Sequence, residues 1–260
     1  MTVMSKAEMK GKFIDGIFGQ VENGILPGMY GFEAGLSAMG DAYAWFRRLL
    51  AWPLKTILAQ SKLLDEVTKA KLVEETENNI LKELTREAEK VEVTLDSPLA
   101  TDWFNGRRTP YPNTKLTASI TQLNLSSTAP EVFYALAEAT AFATKNVIEH
   151  YKNNGIFIER LIGIGGIAQK SGFVMQLLSD AMNMQIDVSD CKQAGAFGSV
   201  IHAATVAGLY KSVTDAQQTL CLPASHSYKP NQERHDFLLK RFKKYQAIGR
   251  FSEAQLKSNK

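Results

Sequence analysis

The sequence predicts an α/β fold. Short apolar runs of strand length alternate with longer segments of helical period. One strand-length run, 161–164, passes through Gly165-Gly166 into a helical segment opened by Ser171, and a second short run follows at 185–188. Helical segments dominate the remainder, which points to helices packed on modest sheets.

The elements follow in order. Asn23-Gly24 is a hairpin signal between two short apolar runs, so two antiparallel strands are expected across 11–26, ending at Pro27-Gly28. Residues 34–50 carry Ala38, Tyr43, Phe46, Leu49 and Leu50 at helical spacing, and Pro53 interrupts that helix. The charged stretch 55–91 lacks a sustained heptad, and reads as two solvated helices on a core edge. Residues 91–95 alternate as a strand does. Residues 102–113, with Asn105-Gly106 and two prolines, form a loop. A long helix spans 130–153, with Phe133, Leu136, Ala137, Thr140, Ala141 and Val147 on one side, and Gly155 ends it. The run 161–164 is a short buried strand, 171–184 a helix, 185–188 a strand and 194–210 a helix of small residues. A basic amphipathic helix closes the chain over 232–256.

Composition narrows the function classes. The 260 residues are 45% hydrophobic and 22% charged, ordinary for a globular protein able to bury a sizeable core. The net charge of +3 is too small to argue for nucleic acid, and its basic excess is local to the C-terminal stretch. No run has transmembrane length, residues 1–12 do not read as a signal peptide, and neither Cys191 nor Cys221 belongs to a CxxC pair. A cytoplasmic protein with two free thiols is expected. His150, His202, His226 and His235 lack partners at metal-ligand spacing.

Three segments carry candidate chemistry. In 19–46 glycines are dense ahead of a helix, and Glu33 sits where the glycine run meets the helix start. Its carboxylate either complements the helix dipole or accepts hydrogen bonds from sugar hydroxyls. In 102–110, Arg107 and Arg108 flank a glycine turn; they bind phosphate or a carboxylate, or belong to a solvated loop. In 161–171, a strand, the Gly165-Gly166 turn and Ser171 make a place where a nucleotide can lie on bare backbone, or simply a tight turn. Gly163, Gly165 and Ala168 also spell G-x-G-x-x-A, with Asp187 some distance on, the weak fingerprint of a dinucleotide-binding enzyme.

Taken in order, GQVENGILPGMYGFEAGLSAMGDAYAWFRRLLAWPL (19–54), DWFNGRRTP (102–110) and GGIAQKSGFVMQLLSDAMNMQI (165–186) resemble the FGGY family of carbohydrate kinases, and within it the ribulose kinases. The resemblance covers about 11–245. It implies an actin-like ATPase (ribonuclease H-like) fold of two domains with ATP in the cleft between them. This chain, 1–260, would be the second, nucleotide-side domain, with a charged helical insertion at about 55–91. The family's adenosine-binding diglycine matches Gly165-Gly166, and Gly40 matches a glycine near the base. Ser171 stands where relatives often have an asparagine close to adenine. Glu33 matches a glutamate near the ribulose, which tips its reading towards substrate binding.

The resemblance also implies ATP and Mg2+ as cofactors, and a catalytic aspartate and phosphate-gripping loop in the first domain. No match to either is found here: Asp15 and Asp41 lie in other motifs, and 2–9 looks like the strand after that loop. The expected function is therefore the C-terminal half of an enzyme moving a phosphoryl group from MgATP to a ribulose hydroxyl, inactive alone. A non-catalytic adenine-nucleotide-binding fragment is the alternative. The expected partners are ATP or ADP, L-ribulose once the first domain is supplied, and that N-terminal domain or a second copy of the chain; neither nucleic acid nor membrane is expected.

Overall fold

The computed structural model describes residues 2–6, 12–37 and 39–258; what was read at residues 7–9 and 38 lies outside them. In chain order the elements are β1 (Thr2–Lys6), β2 (Gly19–Glu22), β3 (Met29–Glu33), α1 (Met39–Leu50), α2 (Trp52–Thr56), α3 (Glu66–Ala88), β4 (Leu99–Ala100), β5 (Ile120–Thr121), α4 (Ala129–Asn153), β6 (Leu161–Gly163), α5 (Gly166–Lys170), α6 (Gly172–Met182), β7 (Ile186–Val188), α7 (Ala194–Val206), α8 (Val213–Leu220), β8 (His226–Tyr228) and α9 (Gln232–Ser258). The α/β expectation holds.

The chain divides into two compact units: Met1–Leu36, Arg107–Thr114 and Ala141–Leu239 form the first, and Ser37–Gly106, Lys115–Thr140 and Lys240–Lys260 the second.

The first unit holds two sheets. One is antiparallel in the order β1-β3-β2. The expected hairpin exists, but its second strand begins after Pro27-Gly28 instead of ending there. Asn23, at φ 59°, folds the loop back; its Oδ1 accepts from the Gly28 amide at 2.6 Å, and its own amide donates to the Met29 carbonyl at 2.7 Å. The local side-chain bond moves the turn past the prolyl pair. Ile14, Ile17, Phe32, Ala34, Val147, Tyr151 and Ile156 pack as one apolar cluster around this sheet.

The second sheet runs β6-β7-β8, with β6 parallel and β8 antiparallel to β7. The strand at β6 was expected to be buried. Instead it is an edge strand, and Ile162 is 57% exposed. Ser171 caps α6 as predicted, accepting from the Val174 amide at 3.4 Å. Asn183 ends α6 in the left-handed conformation at φ 53°, a C-terminal geometry asparagine tolerates.

The second unit is mainly helical. Pro53 occupies the first turn of α2, where its missing amide hydrogen costs nothing. The charged stretch forms one 23-residue helix, α3, preceded by the short α2 and a 3-10 turn, rather than two comparable helices. Asp65 caps α3, accepting from the Thr68 amide at 2.9 Å and from its hydroxyl at 2.6 Å. Those bonds hold the Asp65 carboxyl below its usual range.

Residues 91–95 form no strand. Their neighbourhood's carbonyls are taken by side chains: Arg241 Nη1 donates to Thr94 O at 2.6 Å, and Lys244 Nζ to Leu95 O at 2.6 Å. The sheet pairing of this unit falls to β4 and β5.

Helix α4 is buried on all sides over 133–143, not along one stripe. Alanines at 135, 137, 139, 141 and 143 let neighbours approach from every direction. Tyr43 packs edge-on to Phe133, with ring centroids 5.4 Å apart, and bonds the Thr140 hydroxyl at 2.8 Å. Burial raises Tyr43 to about 12, with the Thr140 bond opposing. Within the second unit α9 presents Arg241, Phe242, Tyr245 and Gly249 to the interior. A Cβ on Gly249 would fall 2.9 Å from the Trp103 ring.

Candidate functional site

The structure brings Gly165, Gly166 and Ser171 together at the β6–α5–α6 turn of the first unit. Each glycine is there for a different reason. Gly163 packs tightly: a Cβ would stand 2.9 Å from Met175 Cε and 3.2 Å from Ala168 Cβ. Gly165 has φ +84°, a conformation that disfavours any side chain. Gly166 has neither constraint: its φ is not positive, it is exposed, and a Cβ there would meet nothing within 4 Å among the described residues. The protein's own packing does not explain this glycine. Ser171 spends its oxygen lone pair on the α6 cap but keeps a hydroxyl hydrogen to donate.

Glu33 lies at the end of β3, on the other sheet of the same unit. It is exposed, and does not cap α1, which begins at Met39. The helix-dipole reading therefore loses its geometry. Gly40 is exposed in the first turn of α1, in the second unit.

The loop 102–110 is mostly committed to structure. Asp102 is buried and accepts from the Tyr245 hydroxyl at 2.8 Å. Arg107 Nε donates to Tyr111 O at 2.9 Å. Arg108 is exposed and lies along Gly35, whose Cβ would stand 3.6 Å from the guanidinium. Arg108 is thus the arginine of the pair that remains open to an anion.

The dinucleotide fingerprint fails at its acidic residue. The Asp187 carboxylate accepts from Ser227 Oγ at 2.6 Å, Gln185 Nε2 at 2.8 Å and Arg160 Nε at 2.9 Å. The Ser227 bond above all, with those from Gln185 and Arg160, holds it down at about 2. A carboxylate so engaged has little left for a ribose, and β8 enters antiparallel where a dinucleotide fold continues in parallel.

Two further residues bear on the Glu33 strand. Tyr151, one aromatic in a long helix, carried no sequence signal as a functional residue, while Gly19 opens the glycine-dense segment 19–46 but nothing in the sequence pairs it with Glu33. Only the fold puts both against the Glu33 strand. Among the described residues no three of His, Cys, Asp and Glu gather to hold a metal, and no helix is long and apolar enough to cross a membrane.

Comparison with solved proteins gives the class of this architecture. The chain superposes on a xylulose kinase from Lactobacillus acidophilus (TM-score 0.74, 18% identity, 100% of this chain and 46% of that one). It also superposes on one from Rhodospirillum rubrum (TM-score 0.72, 19% identity, 95% of this chain and 44% of that one). Both are sugar kinases of actin-like ATPase fold, and at these identities the likeness concerns the fold alone. The family then follows from sequence: residues 1–207 match the model of the FGGY family of carbohydrate kinases, C-terminal domain, and the chain belongs to that family.

Among curated proteins, a ribulokinase of Vibrio parahaemolyticus is 38% identical over 240 residues, covering 92% of this chain and 41% of its own length. A ribulokinase of Geobacillus thermodenitrificans is 32% identical over 229 residues, 85% of this chain and 38% of its own length. The chain therefore spans about two fifths of the length of these relatives.

Proposed function

We propose that this chain is the nucleotide-side part of an ATP-dependent kinase acting on L-ribulose. The observation that carries the reading is Gly166, a glycine that neither backbone conformation nor internal packing requires. Bare backbone open to solvent beside a positive-φ glycine suits the flat face of an adenine nucleotide. Gly165 and Gly166 would lie against adenosine. Ser171 would offer its hydroxyl hydrogen to the base, and Gly40 keeps its assignment near the base from the family resemblance. Glu33, exposed at a strand end, would accept hydrogen bonds from ribulose hydroxyls.

ATP would supply the phosphoryl group, with Mg2+ carried on its phosphates. A sugar hydroxyl oxygen would attack the γ-phosphorus as the bond to ADP breaks, and its proton would pass to the aspartate of the first domain that the resemblance implies. The contribution of this chain is to hold the nucleotide and orient the sugar. The reaction is proposed to run in the cytoplasm; Cys191 and Cys221, both free, suit a reducing compartment.

Calorimetry with ADP tests the nucleotide assignment. Gly166→Val is expected to weaken ADP about tenfold or more, roughly 1.4 kcal/mol, because the side chain takes the nucleotide's place. Thermal stability should hardly move, since a Cβ at Gly166 meets nothing within 4 Å. Equal ADP affinity in both proteins would remove Gly166 from the site, and binding of NAD in place of ADP would revive the dinucleotide reading.

A further inference from the structure

Glu33 has an unusual pair of neighbours. Across the β2–β3 register its partner is Gly19. A Cβ on Gly19 would fall 2.6 Å from Glu33 Cβ and 3.3 Å from Oε2. The first distance is too short for any pair of carbons to keep. Gly19 has no positive φ, so backbone freedom does not explain it. Its absent side chain is the space in which the Glu33 side chain lies.

Tyr151, near the C-terminal end of α4, is fully buried. Its ring packs edge-on against Phe32, the residue before Glu33, with centroids 6.0 Å apart at 71°. Its hydroxyl is enclosed and meets no hydrogen-bond partner among the described residues. Buried hydroxyls without partners are uncommon and disfavour folding. A phenylalanine would fill the same space without that penalty. Burial first, and the Glu33 negative charge second, push the Tyr151 phenol well above its usual value, so it keeps its proton and can only serve that carboxylate as a donor.

We propose that Gly19 and Tyr151 are positioning residues for Glu33. Gly19 withholds a side chain so that the carboxylate can lie over β2. Tyr151 supplies a donor that anchors one carboxylate oxygen when the other takes the sugar's hydroxyls. The inference deepens the reading of Glu33 as a ribulose ligand and rests on it. An anchored carboxylate presents a fixed acceptor geometry and loses less freedom on binding.

The test measures L-ribulose binding by ligand-observed NMR to the chain joined with the first domain of a ribulokinase relative, with thermal unfolding alongside. Tyr151→Phe is expected to weaken ribulose about tenfold, the worth of a hydrogen bond to a charged group, without lowering the melting temperature or changing ADP affinity. In a Glu33→Gln background the same change should add little. Gly19→Ala should weaken ribulose as Glu33→Gln does. A purely structural Tyr151 would instead show itself in the melting temperature, leave ribulose affinity unchanged and overturn the inference. If Glu33→Gln weakens ribulose while Tyr151→Phe and Gly19→Ala do not, the positioning pair fails and the sugar-ligand reading survives. If the joined protein with wild-type residues takes up no ribulose, or Glu33→Gln changes nothing in it, the reading of Glu33 fails and the pair falls with it.

Discussion

Arg241→Met is expected to destabilise the protein by about 3–5 kcal/mol, the range for removing one partner of a buried ion pair. Arg241 and Glu138 are both 0% exposed, and they meet as a fork: Nε to Oε1 at 2.6 Å and Nη2 to Oε2 at 2.7 Å. The same guanidinium donates to the carbonyls of Thr94, Ser97 and Pro98. One residue thus ties α4, α9 and the segment before β4 together, and neutralises a charge in the fully buried stretch of α4. Methionine would fill the volume and leave a carboxylate and three carbonyls without that donor.

The pH dependence has a definite sign. In the native protein burial already pushes Glu138 up, with the Arg241 bonds and charge opposing. Without Arg241 the opposition is gone, and the folded-state value rises further above the unfolded one. A carboxyl raised in this way favours folding fully below its unfolded value and loses that contribution as pH rises through the folded value. The variant should therefore be least impaired in mild acid and most impaired at neutral pH and above. Denaturant melts across that range read this out. A cost independent of pH would show that the lost carbonyl bonds, not the orphaned carboxylate, dominate. The double variant Glu138→Leu with Arg241→Met should recover part of the loss, because the buried charge is gone while the carbonyls remain unserved.

These features explain what the sequence could and could not disclose. Periodicity found the helices α1, α4, α6 and α9, because each buries a stripe or more of apolar surface, whereas α7 was legible as a run of small residues, of which Ile201 is buried. The strand–diglycine–helix turn was legible because positive φ and bare backbone demand glycine. Residues 91–95 read as a strand because Val91, Val93 and Leu95 alternate, yet Arg241 and Lys244, distant in sequence, take nearby carbonyls. Strand β8, His226–Tyr228, has no apolar alternation and is set by pairing with β7. A lone arginine in a basic helix announces nothing about burial, so the Arg241–Glu138 pair was invisible. At the candidate site Glu33 and Gly165-Gly166 were found through motif resemblance. Tyr151 was not, since only tertiary packing encloses its hydroxyl and sets its ring against Phe32 in the Glu33 strand.

The last expected result concerns catalysis and the surface that supports it. Alone, the 260-residue chain should not turn over L-ribulose in a coupled ADP-release assay. Joined with the first domain of a ribulokinase relative, it should reach turnover on the order of 10 per second, ordinary for an enzyme. Two features argue for the partner. The chain matches only about two fifths of its relatives' length, and the aspartate that the resemblance makes the base lies in the other part. The first unit also shows apolar side chains suited to burial: Phe13 is 76% exposed and Phe18 71%, while Phe157, Ile162 and Ile164 stand out along or beside the β6 edge. An open strand edge with apolar side chains is a template for association. By size exclusion with light scattering, the chain alone should self-associate, and the added domain should raise its melting temperature and convert it to a defined complex. Turnover by the chain alone at that rate would show that these residues suffice for chemistry. A clean monomer at high concentration, with no stabilisation and no gained activity from the added domain, would point instead to a self-sufficient nucleotide-binding module. Because an exposed apolar surface and an incomplete set of reacting groups have one remedy in common, activity and solubility should return together.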